Sequence, residues 1–148
     1  MDKKKVVIPN SPSPDQNTTV LYLKVLNTGD IISLTGKRKF TLGRISGDQP
    51  IMPDIDLSPY QAYEYGVSRL HALIDIMEEM VTITDLGSMN GCKINGKPIQ
   101  PLSAVPIRSG DYITLGMFKT QILWNKDYSP IENVEEISTI SENNQTRS

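Results

Sequence analysis

The chain has 148 residues, 38% of them hydrophobic and 22% charged, with a formal net charge of −2. That length suits one domain plus tails, and the near-neutral balance excludes broad nucleic-acid binding, which needs many bases on one face. No stretch approaches the roughly 18 apolar residues of a membrane span, and the apolar run at residues 6–8 is too short for a signal peptide.

From the N-terminus, residues 1–19 are rich in Pro, Ser, Asn and Lys and read as a disordered tail. Residues 20–126 read as the folded part, and there the pattern is β. In "LYLKVL", Leu21, Leu23 and Val25 share a face; in "KFTLGR", Phe40 and Leu42 do. In "HALIDI", Ala72, Ile74 and Ile76 alternate with His71, Leu73 and Asp75, and in "VTITDL" Val81 and Ile83 alternate with threonines. "YITLG" and "FKTQILW" continue the pattern with Ile113, Leu115, Phe118, Ile122 and Trp124. Each is a period-2 strand with one buried side. "NTGD", "LTGK", "SGDQ", "MNG" and "RSGD" are turn signals. "KINGKPI" is a tight hairpin, because Asn95-Gly96 accepts the positive φ angles of a type I′ turn. Many short strands at regular spacing and no core amphipathic helix imply an all-β sandwich or barrel. Residues 45–66 have weak strand content and form a long irregular insertion, a feature often tied to function.

Residues 127–148 hold five acids and one base, and read as an acidic, flexible tail. Ile131, Val134, Ile137 and Ile140 recur every three residues, which leaves open a short helical piece docked on the domain. The single cysteine, Cys92, excludes an intrachain disulfide and points to a reducing, cytoplasmic setting. With one histidine and one cysteine the chain lacks the ligands of a conventional zinc site, so neither metal nor cofactor is expected.

Three polar loop motifs stand at strand ends: Gly43-Arg44, then Ser68-Arg69-Leu70-His71, then "DLGSMNG" at residues 85–91. Loops from different strands can converge on one rim. Together these supply two guanidinium groups, a hydroxyl and an amide, donors suited to a tetrahedral dianion. Charge-assisted hydrogen bonds contribute roughly 1.5–3 kcal/mol each. Two or three of them separate a phosphorylated ligand from its bare form by a factor on the order of 100 or more. Taken singly, each motif is an ordinary surface turn, and His71 is an ordinary structural imidazole.

The order "LGR", an insertion, "VSRLHALI", "VTITDLGSMNGCKINGKPI" and "IRSGDYITLG" resembles the forkhead-associated (FHA) domain across about residues 21–124. The segment "PDIDLSPYQAYEYGVSRLHA" is similar to a subset of bacterial FHA proteins in which the loop before the serine is enlarged. The resemblance implies an FHA-type β-sandwich of about eleven strands whose loops at one end bind phosphothreonine peptides. Arg44 then matches the phosphate-contacting arginine, Ser68 the phosphate-binding serine, and Arg69 a position that often adds a further contact. Asn90 matches the asparagine that bonds the peptide backbone. His71, Gly43 and Gly91 match structural supports. The position before the asparagine departs from the pattern: where Ser or Thr is frequent, this chain has Met89, which has no donor and can instead pack on apolar parts of a ligand.

The expected function is therefore a phosphothreonine-peptide-binding, non-catalytic adaptor in Ser/Thr kinase signalling. Its partners would be phosphothreonine-containing proteins, a kinase or its substrates among them, with no nucleic acid and no membrane. A phosphate-independent FHA-fold scaffold is the alternative, motivated by Met89. An enzyme is disfavoured: Ser68 and His71 are close in sequence, but no motif supplies a third group or an oxyanion hole. Thr18, Thr19 and Thr139, in the tails, are candidate regulatory phosphosites whose phosphates would fold back into the protein's own site.

Overall fold

The computed structural model of the protein describes residues 21–124. The tail expectations, including the isoleucine repeat and the three tail threonines, lie outside the described residues. Within them are eleven strands: β1 (Leu21–Val25), β2 (Ile31–Leu34), β3 (Lys39–Gly43), β4 (Ile55–Asp56), β5 (Ala72–Ile76), β6 (Val81–Asp85), β7 (Cys92–Ile94), β8 (Lys97–Pro98), β9 (Val105–Ile107), β10 (Tyr112–Leu115) and β11 (Phe118–Trp124). A single-turn 3-10 helix, Ser58–Tyr60, interrupts the insertion. None of the helical structure described is long and apolar enough to cross a membrane.

The strands form two sheets, ordered β2-β1-β11-β10-β7-β8 and β4-β3-β5-β6-β9. All named pairings are antiparallel except β3 with β4. The alternation read from the sequence fixes which face is inside. Leu21, Leu23 and Val25 of β1 are fully buried, as are Ile113 and Leu115 of β10 and Ile122 of β11. They meet Leu42, Ala72, Ile74, Val81 and Ile83 from the other sheet in one core. Each such Leu or Ile contributes about 1.5–3 kcal/mol by leaving water. The Asn95-Gly96 turn has φ of 51° and 85°, the double positive pair of a type I′ hairpin between β7 and β8. Asn95 also locks the next hairpin, taking the Tyr112 N–H on Oδ1 at 2.9 Å.

The register decides where loops gather. Leu42 of β3 lies opposite Ala72 of β5, and Ala72 opposite Asp85 of β6. In the other sheet Cys92 of β7 lies opposite Leu115 of β10, which lies opposite Phe118 of β11. The segments that follow β3, precede β5, join β6 to β7 and join β10 to β11 therefore emerge at one end of the sandwich.

The insertion is better anchored than its composition suggests. The Asp54 carboxylate accepts the Thr41 N–H and hydroxyl at 2.9 and 3.1 Å, and pairs with Lys37 at 2.7 Å. Leu57 and Ala62 are fully buried, and the Leu57 N–H donates to the Gly43 carbonyl at 2.7 Å. The segment is thus pinned on both sides of β4, and its irregular course is held in place.

Candidate ligand-binding site

Arg44 leaves the end of β3 beside the segment that enters β5. Its backbone N–H donates to the Arg69 carbonyl at 3.2 Å, and its Nε donates to the Val67 carbonyl at 2.7 Å. Gly43 makes this approach possible. A Cβ there would collide with the Arg69 carbonyl group, so the glycine is required for space and not for an unusual φ. The guanidinium lies over the ring of Tyr63, 4.8 Å from its centroid.

His71 ties two of the loops together. It is fully buried, and its Nδ1 accepts the Ser68 N–H at 2.9 Å. The other ring nitrogen, Nε2, lies 2.8 Å from the Gly91 carbonyl oxygen. A backbone N–H only donates and a carbonyl only accepts, so the proton must sit on Nε2 in a neutral imidazole. Burial pushes the His71 pKa below its ordinary value, opposed by the Gly91 carbonyl and the Asp85 charge. The imidazole is thus a brace between the Ser68 loop and the Asn90-Gly91 turn.

The turn of residues 86–91 is closed by its own side chains. Asp85 Oδ1 accepts the Ser88 N–H, and Ser88 Oγ accepts the Gly91 N–H, both at 2.9 Å. Ser88 Oγ is therefore turned toward the loop backbone at Gly91. The Met89 N–H donates to Ser68 Oγ at 3.2 Å, while its side chain is 87% exposed. Asn90 Nδ2 donates to the Gly66 carbonyl at 2.9 Å. That bond uses one of the amide's two donor hydrogens and leaves its Oδ1 acceptor for a ligand.

A fourth loop completes the rim, and the motifs gave no sign of it. The Gly116 N–H donates to the Gly91 carbonyl at 2.9 Å, and the Met117 N–H to the Tyr65 carbonyl at 2.8 Å. Gly66 has φ of +84°, and a Cβ on it would stand 2.8 Å from Asn90 Nδ2. Tyr63, Gly66, Gly116 and Met117 thus belong to the site's surroundings; the sequence flagged the insertion that holds Tyr63 and Gly66 but gave Tyr63, Gly116 and Met117 no individual role. Of these, Gly66 and Gly116 carried a signal as glycines beside recognisable motifs.

The structure brings Arg44, Ser68, Arg69, Met89 and Asn90 to one rim. Among the described residues neither Arg44 nor Arg69 has a carboxylate partner; the described ion pairs are Lys37–Asp54 and Arg38–Asp75. The Arg44 guanidinium, the Ser68 hydroxyl and the Asn90 amide, with Arg69 beside them in the chain, are donors suited to an oxyanion. Ser68 and His71 do not form a nucleophile–base pair in this arrangement. His71 engages the Ser68 backbone N–H and not its Oγ, and both imidazole nitrogens are occupied.

Beneath the rim, polar atoms of His71, Asp85 and Cys92 lie within 4.8 Å of one another. The polar atoms of this trio are engaged with loop backbone or kept protonated. His71 has no free nitrogen, Asp85 already holds the turn, and burial with the nearby Asp85 charge pushes the Cys92 thiol up to about 12, so it keeps its proton.

Residues 40–116 match the family model described as the FHA domain. Protein FraH of Nostoc sp. is 42% identical to this chain over 66 residues, covering 45% of this chain and 22% of FraH. The match thus spans about a fifth of that relative's length. Among solved structures, the FHA domain of CT664 protein from Chlamydia trachomatis is 29% identical, with a TM-score of 0.54 over 70% of this chain and 96% of that one. Mycobacterium tuberculosis EmbR, solved in complex with a low affinity phosphopeptide, is 28% identical, with a TM-score of 0.57 over 74% of this chain and 27% of EmbR.

Proposed function

Because this chain belongs to the FHA domain family, we propose that it binds phosphothreonine peptides at the rim formed by Arg44, Ser68, Arg69, Met89 and Asn90. In this reading Arg44 and Arg69 take phosphate oxygens, and the Ser68 hydroxyl donates to another. Asn90 bonds the peptide backbone, and Met89 packs on apolar parts of the ligand. Gly43, His71 and Gly91 hold the loops in register. The observation that carries the reading is the Arg44 guanidinium, held by the Val67 carbonyl and without a carboxylate partner among the described residues, on a rim with a serine and an asparagine engaged in cross-loop hydrogen bonds. The phosphopeptide in the EmbR complex supports it.

The protein then acts as a non-catalytic adaptor in Ser/Thr kinase signalling, with a kinase or its phosphorylated substrates as partners. The single cysteine, buried and unpaired, fits a reducing, cytoplasmic setting. The test is fluorescence polarisation with a degenerate phosphothreonine peptide library against its unphosphorylated counterpart. Arg44→Ala removes one or two charge-assisted bonds and lowers affinity by about 10- to 100-fold or more. Equal binding by Arg44→Ala and the parent protein would refute the site assignment.

A second reading is favoured by Met89, whose exposed thioether stands where a phosphate donor is frequent. Here the same face binds a protein partner independently of phosphate. A partner retained in a pull-down after phosphatase treatment supports this reading and excludes the first.

A further inference from the structure

Tyr63 is unexplained by the core. Its side chain is 71% exposed, so it gains little from burial. Yet it is held on two sides. Its carbonyl accepts the Gly66 N–H at 3.0 Å, and its neighbour Ala62, fully buried, accepts the Val67 N–H at 2.9 Å. Its ring lies 4.8 Å from the Arg44 guanidinium carbon. The same short segment also supplies the Val67 carbonyl that takes Arg44 Nε at 2.7 Å. One stretch of chain therefore grips the guanidinium twice, at an edge and on a face.

We propose that Tyr63 is a positioning residue of the ligand site, holding the Arg44 guanidinium in the plane from which its Nη edge meets an oxyanion. The proposal rests on reading the rim as an anion receptor. A guanidinium donates in its own plane, so a ring stacked on its face competes with none of its hydrogen bonds. The negative face of the ring attracts the cation. With Nε committed to Val67, rotation about the guanidinium bonds is restricted before a ligand arrives. An arginine at an exposed strand end otherwise loses rotamer freedom on binding, and ordering it in advance removes part of that loss. The insertion thereby acquires a purpose: its buried Leu57 and Ala62 anchor a loop that delivers an aromatic ring to the arginine.

The experiment uses the full chain with three substitutions: Tyr63→Phe, Tyr63→Ala and Tyr63→Leu. The ring is exposed, so each variant folds, which circular dichroism checks. Two quantities are read. One is affinity for a phosphothreonine peptide taken from a library screen. The other is the NMR signal of the Arg44 Nε–H group in the free protein, which a stacked ring shifts. Tyr63→Phe keeps affinity within about twofold and keeps the shift. Tyr63→Ala and Tyr63→Leu weaken binding by about three- to tenfold, the span of an exposed cation–π contact, and lose the shift. Unchanged affinity in Tyr63→Ala overturns the proposal. So does weakened binding with an unmoved Arg44 signal, which would make Tyr63 a direct ligand contact. If the parent protein binds phosphorylated and unphosphorylated peptides alike, the anion-receptor reading fails, while the Arg44 signal still decides whether Tyr63 holds the guanidinium.

Discussion

Replacing His71 by alanine tests the assignment of this residue as a brace. The substitution removes two hydrogen bonds at once. It strands the Ser68 N–H, which the fully buried imidazole now meets at 2.9 Å, and takes from the Gly91 carbonyl one of its two donors, leaving it the Gly116 N–H. The unmet Ser68 N–H costs about 1–3 kcal/mol, the lost bond to Gly91 adds to it, and the vacated ring volume adds a cavity cost. A total loss of about 3–5 kcal/mol is expected in urea unfolding monitored by tryptophan fluorescence. The pH dependence supplies a second, sharper readout. His71 is the only histidine, and its folded pKa lies below the ordinary 6.5 because it is buried. Above pH 6.5 both states carry a neutral imidazole and the group adds no slope. Between 6.5 and the lowered folded pKa the unfolded chain binds a proton that the folded protein refuses, so stability falls as pH falls. Below the folded pKa that loss levels off. The parent protein shows this slope and His71→Ala lacks it. A loss under about 1 kcal/mol, or the same slope with and without the histidine, would refute the bracing role.

Met89→Thr restores a hydroxyl beside Ser68, and we expect phosphothreonine peptide affinity to rise by about threefold or more by the value of one added hydrogen bond, read by fluorescence polarisation; unchanged affinity would place residue 89 away from the phosphate. The Cys92 thiol, pushed up to about 12 by burial, is expected to resist alkylation in the folded protein at pH 8 and to react promptly in denaturant, followed by mass spectrometry.

The core strands were legible because one face of each is turned into the core, so apolar residues recur at period 2 in β1, β3, β5, β6, β10 and β11. The strands that escaped notice are the marginal ones. β2 buries only Leu34 completely, and β9 carries Pro106; both are edge strands, where alternation weakens and proline is tolerated. β4 has two residues and no periodicity to show. Likewise the site's residue types were legible in three motifs, but their coupling was not. The His71–Gly91 bond spans 20 positions and the Asn90–Gly66 bond 24, distances over which pattern carries no register. Tyr63 was legible only as part of a flagged insertion, since an aromatic residue in an irregular segment does not announce which cation it covers.

The pairing of Leu21 with Trp124 brings both ends of the described domain together. Because β11 starts at the ligand rim with Phe118, that junction lies at the opposite pole, six residue steps or about 20 Å away. Thr19 precedes Leu21 by two positions and Thr18 by three, giving a reach of about 7–10 Å along extended chain. Counted along the chain alone, that length is shorter than the span of β11 from the junction to the rim. Thr139, fifteen positions beyond Trp124, has about 50 Å of chain to spend and meets no such limit. The three threonines expected as phosphosites thus differ in the length of chain that tethers them to the domain.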